Sequence, residues 1–249
     1  MATAKIAQKL DSELHSSIVE LRRYTLYPGR RDDLISLFDA HFLESQELCG
    51  MKIIGQFRDI DDPDAFVWLR GFDDMQARHQ ALTVFYDGPV WAAHRNAAND
   101  TMIDSDDVLP LRPASRDTGF ALPHERSVSG ETSPAIIEAA TYKLKTSAEG
   151  FLAFYDDVLS PLLRASGNDS IATFTSEHSR NTFSRLPVRL GENVVVVFSR
   201  FDSVDNQAAF RDLLDANPAW QAVQPRLATY LIAPPIIARL SPTARSLLR

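Results

Sequence analysis

The sequence predicts an α+β protein in which two tandem ferredoxin-like units, each with the order β-α-β-β-α-β, pack sheet to sheet as one pseudo-symmetric barrel. Two spacings predict this fold. Trp91 and Trp220 are 129 residues apart, and the same spacing aligns the apolar stretches that precede them. A spacing of 118 residues aligns Tyr24 with Tyr142. Because a repeat at a fixed spacing is typical of duplicated units, the chain is expected to hold two copies of one unit.

The elements of the first unit follow from local composition and periodicity. Runs of β-branched and aromatic residues predict strands, and apolar residues three or four apart predict helices. In chain order these are a strand at Ile18–Leu26, a helix from Asp32 to Leu48, strands at Met51–Phe57 and Ala65–Phe72, a helix capped by Asp73 with Met75, Leu82 and Phe85 on one face, a short helix at Trp91–Asn99 and a closing strand at Val108–Leu111.

The second unit repeats this order. Thr146 and Glu149 have the spacing of a capping box, which predicts the start of its first helix. The other predicted elements are strands at Ile136–Leu144, Ile171–Glu177 and Val194–Phe201, a helix at Asn206–Leu214 and a closing strand at Thr229–Ala233. The units are expected to span 18–113 and 134–240, with a linker at 114–133 that is rich in Ser, Pro, Gly and charge, and a surface segment after Pro235.

A barrel follows because helices can cover only one face of each sheet, so that the other face has to be buried against something else. Val194–Phe198 is a continuous apolar run, as expected for a strand that is covered on both faces. The two sheets of a duplicated chain can cover each other.

Composition excludes several classes of function. The net charge of −7 argues against a nucleic-acid groove, which needs a clustered basic face. No apolar run is long enough to cross a bilayer, and the first residues lack the apolar core of a secretory signal, so a cytoplasmic protein without membrane contact is expected. Cys49 is the single cysteine, which excludes an internal disulfide and a cysteine-based zinc site.

Three segments, FVWLRGF, FYDGPVWAAHRNAAN and TMIDSDDVLPLRP, resemble the NIPSNAP family. The resemblance covers residues 19–113 and is most specific from Trp91 to Pro113; the second unit is similar only in outline. It implies a dimeric α+β barrel fold. Because family members are described mostly as small-molecule binders or proteins of unsettled function, it implies a small-molecule ligand, allows a homo-oligomer and says little about chemistry.

Residues present in only one copy are the candidates for a functional site. Arg70 lies mid-strand where the second copy has Ser199, and His94 lies where it has Val223. A buried arginine needs a partner, which predicts a structural ion pair with Glu20, a fork that binds a carboxylate, phosphate or enolate oxygen, or both together. His94 could act as a general base, or it could be a hydrogen-bonded core histidine.

Further polar and aromatic residues of the first unit are predicted to contact a ligand, although the tyrosine and the tryptophan that recur in both units could equally be architectural. These residues are Tyr24, Arg22, Trp68, Trp91 and Asn99. The acidic run at Asp104, Asp106 and Asp107 lacks the spacing of a metal site. No glycine-rich phosphate loop is present, so neither a metal nor a cofactor is predicted.

Three functions remain open at this stage. The first is a barrel that binds a small, aromatic or carbonyl-bearing molecule in the first unit. The second is a cofactor-independent, monooxygenase-like enzyme that uses His94 and Arg70. The third is a protein-interaction module. The single-copy arginine and histidine favour the first two, and a shared cavity for both side chains would favour the enzyme.

Overall fold

The computed structural model describes residues 16–123, 126 and 132–249. The strands are β1 (Ile18–Leu26), β2 (Lys52–Asp59), β3 (Ala65–Phe72), β4 (Met102–Pro113), β5 (Ile136–Lys143), β6 (Ser170–Ser176), β7 (Val194–Phe201) and β8 (Ile236–Pro242). The helices are α1 (Arg31–Leu37), α2 (Leu43–Leu48), α3 (Met75–Tyr86), α4 (Pro89–Asn99), α5 (Ala148–Phe154), α6 (Ser160–Ala165), α7 (Val204–Asp215) and α8 (Pro218–Tyr230). π-Helical turns at Phe38–Phe42 and Tyr155–Leu159 join α1 to α2 and α5 to α6.

The eight strands form one closed barrel in the order β1-β3-β2-β8-β5-β7-β6-β4. The two halves meet at both edges, because β2 pairs with β8 and β4 pairs with β6, all antiparallel. The sequence predicted two sheets packed on each other, and the structure joins them by backbone hydrogen bonds into a single sheet. Closure leaves no strand edge unpaired.

Strand registers correspond between the two halves. Val19 pairs with Leu111 in the first half, and Ile137 pairs with Leu240 in the second. The irregularities correspond as well: β2 and β6 each carry a register shift against the neighbouring strand, and each first helix is interrupted by a π-helical turn. Side chains at the aligned positions can therefore be compared directly between the halves.

Apolar side chains are buried in three layers. One lies inside the barrel, and the other two lie between the outer face of each half and its helices. One end of the barrel interior is filled by Phe120, Phe174 and Phe198, whose ring centroids are 5.0 to 5.8 Å apart. Leu248 from the C-terminal tail packs into the same layer, and its N–H donates to the carbonyl of Ile54 at 2.8 Å.

The predicted end of the second unit is wrong. Thr229–Ala233 does not form the closing strand; helix α8 runs to Tyr230 and contains Pro225, and the closing strand is Ile236–Pro242. The segment after Pro235 is thus part of the barrel. The helix begins with Pro218, which is favourable at a first helical position, and two consecutive prolines separate it from the strand. Because prolines are typical of turns and tails, the sequence pattern did not predict a strand directly after them.

Two predicted helix starts also differ. Asp74, rather than Asp73, caps α3, and its side chain accepts hydrogen bonds from the N–H groups of Gln76 and Ala77. The helix α5 follows Ser147 and has no side-chain cap, so the capping box of Thr146 and Glu149 does not form. Part of the predicted linker lies outside the described residues. No helix within the described ranges is long and apolar enough to cross a membrane.

Leu248→Ala is expected to lower the free energy of unfolding by about 2–5 kcal/mol, because the leucine is 6% exposed and its removal leaves a cavity in the barrel. Urea denaturation measures the change. Leu213→Ala is the control, since Leu213 is 61% exposed, and it should cost less than about 0.5 kcal/mol. Equal effects from both variants would contradict the buried position of the tail.

Candidate functional site: an arginine cluster and its counterpart

A buried cluster of one carboxylate and three guanidinium groups lies between the sheet and the helices of the first half. We call Glu20, Arg22, Arg70 and Arg78 the arginine cluster. Arg22 Nη1 and Arg70 Nε both donate to Glu20 Oε2 at 2.7 Å, and Arg78 Nε donates to Oε1 at 2.7 Å. Each of the four side chains is no more than 2% exposed. The predicted partner of Arg70 is therefore present.

Pairing across the sheet brings these side chains together. Glu20 and Arg70 are directly opposite each other on β1 and β3, and Arg22 shares the helix-facing side of β1 because side chains alternate along a strand. Arg78 comes from the first part of α3. Four positions that are distant in the sequence thus converge on one carboxylate.

The cluster carries more positive than negative charge. Its three arginines and one glutamate give a net charge of +2, and no other carboxylate of the described residues forms an ion pair with these arginines. Burial alone would raise the pKa of Glu20, but the adjacent guanidinium groups hold it far below its ordinary value. Glu20 is therefore ionised at neutral pH.

Several donors of this region have no partner. Arg70 Nη2, Arg78 Nη2 and Trp68 Nε1 are buried and donate a hydrogen bond to no acceptor of the described residues. The other oxygen acceptors of these arginines are neutral amides: Arg70 Nη1 donates to Gln46 Oε1 at 3.3 Å, and Arg78 Nη1 donates to Asn181 Oδ1 at 3.0 Å. Unpaired buried donors are uncommon and mark a place where an acceptor can bind.

Aromatic rings border the same donors. The guanidinium carbons of Arg22 and Arg70 lie 5.3 and 5.1 Å from the centre of the Trp68 ring. Tyr24 packs edge-on against Trp68, with ring centroids 5.9 Å apart, and its hydroxyl accepts from Arg22 Nε at 3.2 Å. Of the predicted site residues, Arg70, Arg22, Tyr24 and Trp68 therefore lie together.

The other predicted residues lie elsewhere. His94 stacks on His41 with ring centroids 3.7 Å apart, and it shares none of the contacts of Arg70 that the structure describes. Trp91 is half-buried against Tyr86, and Asn99 is exposed at the end of α4. Arg70 and His94 thus do not meet at one cavity among those described, and an enzyme that uses both side chains loses this support.

Arg78 and Asn181 are the residues that sequence reasoning missed. Arg78 aligns with Gln207 at the spacing of 129, so it is, after Arg22 and Arg70, the third arginine of the cluster that has no charged counterpart in the second half, and this comparison could have found it. Asn181 had no such signal, because it reaches the cluster from the second half. It lies in the loop between β6 and β7, from which Phe183 also packs on the helices of the first half.

The second half has small side chains where the first half has the cluster. Ala140, Val197 and Ser199 stand at the positions of Arg22, Trp68 and Arg70, and they line a cavity of about 170 Å³. The sequence predicted the ligand-binding space in the first unit, around Arg70. The described cavity lies instead beside Ser199, because the arginines and the tryptophan occupy the volume that their smaller counterparts leave open.

Glu138 keeps the place of Glu20 with fewer partners. Gln207 Nε2 donates to Glu138 Oε2 at 2.6 Å, and Arg211 Nη2 lies 2.7 Å from Oε1 without the alignment of a hydrogen bond. Burial raises the pKa of Tyr142, which also lines this cavity, to about 12. The second half therefore has a balanced pair where the first half has excess positive charge.

Glu20→Gln should destabilise the protein more than Arg70→Ser at pH 7. The first change leaves three buried guanidinium groups without an opposite charge, at a cost of about 3–5 kcal/mol. The second loses charged hydrogen bonds worth about 1.5–3 kcal/mol but also relieves repulsion among the arginines. Urea denaturation gives the order. An Arg70→Ser variant that is the less stable of the two would contradict a net positive cluster.

Acid should weaken the fold through Glu20. The pKa of Glu20 is lower in the folded state than in the unfolded state. Ionised Glu20 therefore contributes its full stabilisation of the fold above the unfolded pKa of about 4.3, and this contribution is lost as the pH falls toward the folded pKa. Between pH 5 and 3 the parent should lose stability that Glu20→Gln, already destabilised, does not lose. Glu149→Gln, an exposed glutamate, is the control and should follow the parent. The free energy of unfolding is measured by urea denaturation at each pH. If it falls in parallel for the parent and Glu20→Gln, Glu20 is not the group that weakens the fold in acid.

Comparison with known proteins agrees with this architecture. Residues 19–116 match the NIPSNAP family model. None of the curated proteins matches the chain in sequence. Among solved structures, a candidate monooxygenase from Fusobacterium nucleatum is similar at 7% identity and a TM-score of 0.56, covering 92% of this chain and 94% of that one.

Two further solved structures have the same likeness over nearly the whole chain. A candidate monooxygenase from Lactobacillus acidophilus has 12% identity and a TM-score of 0.53, with 90% of this chain and 93% of the other covered. An anthrone oxidase-like protein has 13% identity and a TM-score of 0.56, with 93% of each chain covered. These likenesses show a common α+β barrel fold, and the similarity to the NIPSNAP family lies in residues 19–116.

Proposed function

We propose that the first half binds a small molecule that presents a carbonyl or anionic oxygen beside an aromatic group, with the oxygen held by the arginine cluster. The observation that carries this proposal is the excess of buried donors: three guanidinium groups face one carboxylate, and Arg70 Nη2, Arg78 Nη2 and Trp68 Nε1 lack partners. An additional oxygen acceptor there would satisfy donors whose desolvation is otherwise uncompensated.

The charge of the cluster favours an oxygen that carries, or can develop, negative charge. A carboxylate or enolate would reduce the net charge of +2 toward neutrality. The ligand oxygen can replace Gln46 Oε1 or Asn181 Oδ1, since hydrogen bonds from a guanidinium to a charged oxygen are stronger than those to a neutral amide. Trp68 and Tyr24 offer the aromatic surface that an adjoining ring would contact.

Benzoylacetone, a small aromatic β-diketone with a strongly absorbing enolate, is a suitable probe. We expect the protein to bind it and to lower its apparent enolisation pKa by at least about one unit, because the cluster stabilises the anion. Spectrophotometric pH titration of the bound probe measures the shift. Arg78→Gln, which installs the residue of the second half, should weaken enolate binding about 10- to 100-fold, as expected for a lost charged hydrogen bond.

The control is Arg200→Ser near the end of β7, which should leave the titration unchanged because the Arg200 side chain is 40% exposed and pairs with Asp202 instead of the arginine cluster. An unshifted enolisation pKa in the folded parent protein would reject the proposed oxyanion site. So would an Arg78→Gln variant that binds the enolate as the parent does.

A cofactor-independent, oxygenase-like activity is the second candidate function. It is favoured by the fold shared with candidate monooxygenases and an anthrone oxidase-like protein, and by a cluster able to stabilise an enolate. It requires a base near the bound substrate, and His94 has no described contact with the cluster. Oxygen consumption with benzoylacetone, measured in the parent and in His94→Ala, distinguishes the two functions. Benzoylacetone binding without oxygen uptake supports a binding protein, whereas oxygen uptake that is lost in His94→Ala supports the oxygenase-like enzyme.

We also infer that the two halves are tandem ferredoxin-like units that arose by duplication, with boundaries near 18–113 and 134–242. Three features support this inference: the spacings of 118 and 129 residues, the equal strand registers, and the shared register shifts and π-helical turns. Duplication frees one copy to change, which accounts for an arginine cluster that occurs once.

A further inference from the structure

A second space for a ligand lies inside the barrel, separate from the arginine cluster. A cavity of about 360 Å³ opens at the end of the barrel where β1 and β5 finish. Its wall includes Leu21, Val67, Leu109 and Leu240, which are barrel-facing side chains. The aromatic residues described above close the opposite end. The cavity is thus a blind, mainly apolar pocket with one opening.

The cavity exists because the two halves differ inside the barrel as well. Leu21 of β1 aligns with Ala139 of β5 at the spacing of 118, and Leu109 of β4 aligns with Ala238 of β8 at the spacing of 129. All four side chains line the cavity. The second half therefore presents methyl groups where the first half presents isobutyl groups, and the missing volume is the pocket.

Charged residues surround the opening, but they already compensate one another. Arg23 pairs with Asp59 and with Asp62, and Arg189 pairs with Asp107. The lining contains four aspartates against three basic residues. Asp61, the fourth aspartate, pairs with Arg239 outside the lining. An anionic ligand would therefore find no unpaired cation there and would have to displace an aspartate, whereas an uncharged ligand disturbs no ion pair.

We propose that this opening binds a neutral lipophilic molecule: an aliphatic chain or small alicyclic group with at most one uncharged polar end. Binding pockets of small molecules start at about 300 Å³ and are mostly apolar with a few polar groups, which the cavity matches. Thr141 contributes one hydroxyl to the wall, enough to bind a hydroxyl or carbonyl oxygen of the ligand. The apolar part fills the space beside Ala139 and Ala238.

The test compares 1-octanol with octanoate, which has the same chain length and carries a charge, by calorimetric titration of the full chain. Octanol should bind at least tenfold more tightly than octanoate. Ala139→Leu and Ala238→Leu install the side chains of the first half and fill the cavity, so each should weaken octanol binding at least tenfold. Ala208→Leu, on an exposed helix face, is the matched control and should bind as the parent does.

Methyl NMR on the parent protein keeps the test decisive if a leucine variant fails to fold. Octanol should then shift the methyl resonances of Ala139, Thr141 and Ala238 while leaving that of Ala208 unchanged. Three results would overturn the proposal: no octanol binding by the parent, octanoate binding that equals or exceeds octanol binding, or leucine variants that fold and retain full affinity. Arg78→Gln should leave octanol binding intact, which separates this site from the arginine cluster.

Discussion

The charge of Glu20 is the constraint on which the first half depends. Arginines from β1, β3 and α3 reach this carboxylate at full burial, and each would be an uncompensated charge without it. The same contacts fix where α3 lies on the sheet. They extend to Gln46 of α2 and to Asn181, which comes from the second half of the chain. The Glu20 carboxylate therefore holds together strands and helices that are far apart in the sequence.

The two halves differ in the same way on both faces of the barrel wall. Outside, Arg22 and Arg70 correspond to Ala140 and Ser199; inside, Leu21 corresponds to Ala139. At each of these positions the first half has a large side chain and the second half a small one, on strands with the same register. Because the backbone is held by the same strand registers in both halves, the lost volume becomes open space rather than a collapsed core.

Local patterns predicted most of the strands. Ile18–Leu26, Ala65–Phe72 and Val194–Phe201 were predicted with their observed bounds, since each is a dense β-branched and aromatic run ended by a turn or an N-cap signal. The closing strand Ile236–Pro242 was missed because its mixed residues follow two prolines and resemble a tail. The partner of Arg70 was predicted, whereas Arg78 was missed because its counterpart Gln207 was not compared.

The sequence by itself determined the spacings of 118 and 129 residues, the side chains that differ at those spacings and the similarity of residues 19–116 to the NIPSNAP family, because spacing and residue identity are properties of the chain. Tertiary structure decided which half has open space and which side chains meet. Arg70 and Glu20 converge because their strands pair, while His94 stacks on His41 away from them. Cavities depend on volumes contributed by distant elements, so their position follows only once packing is known.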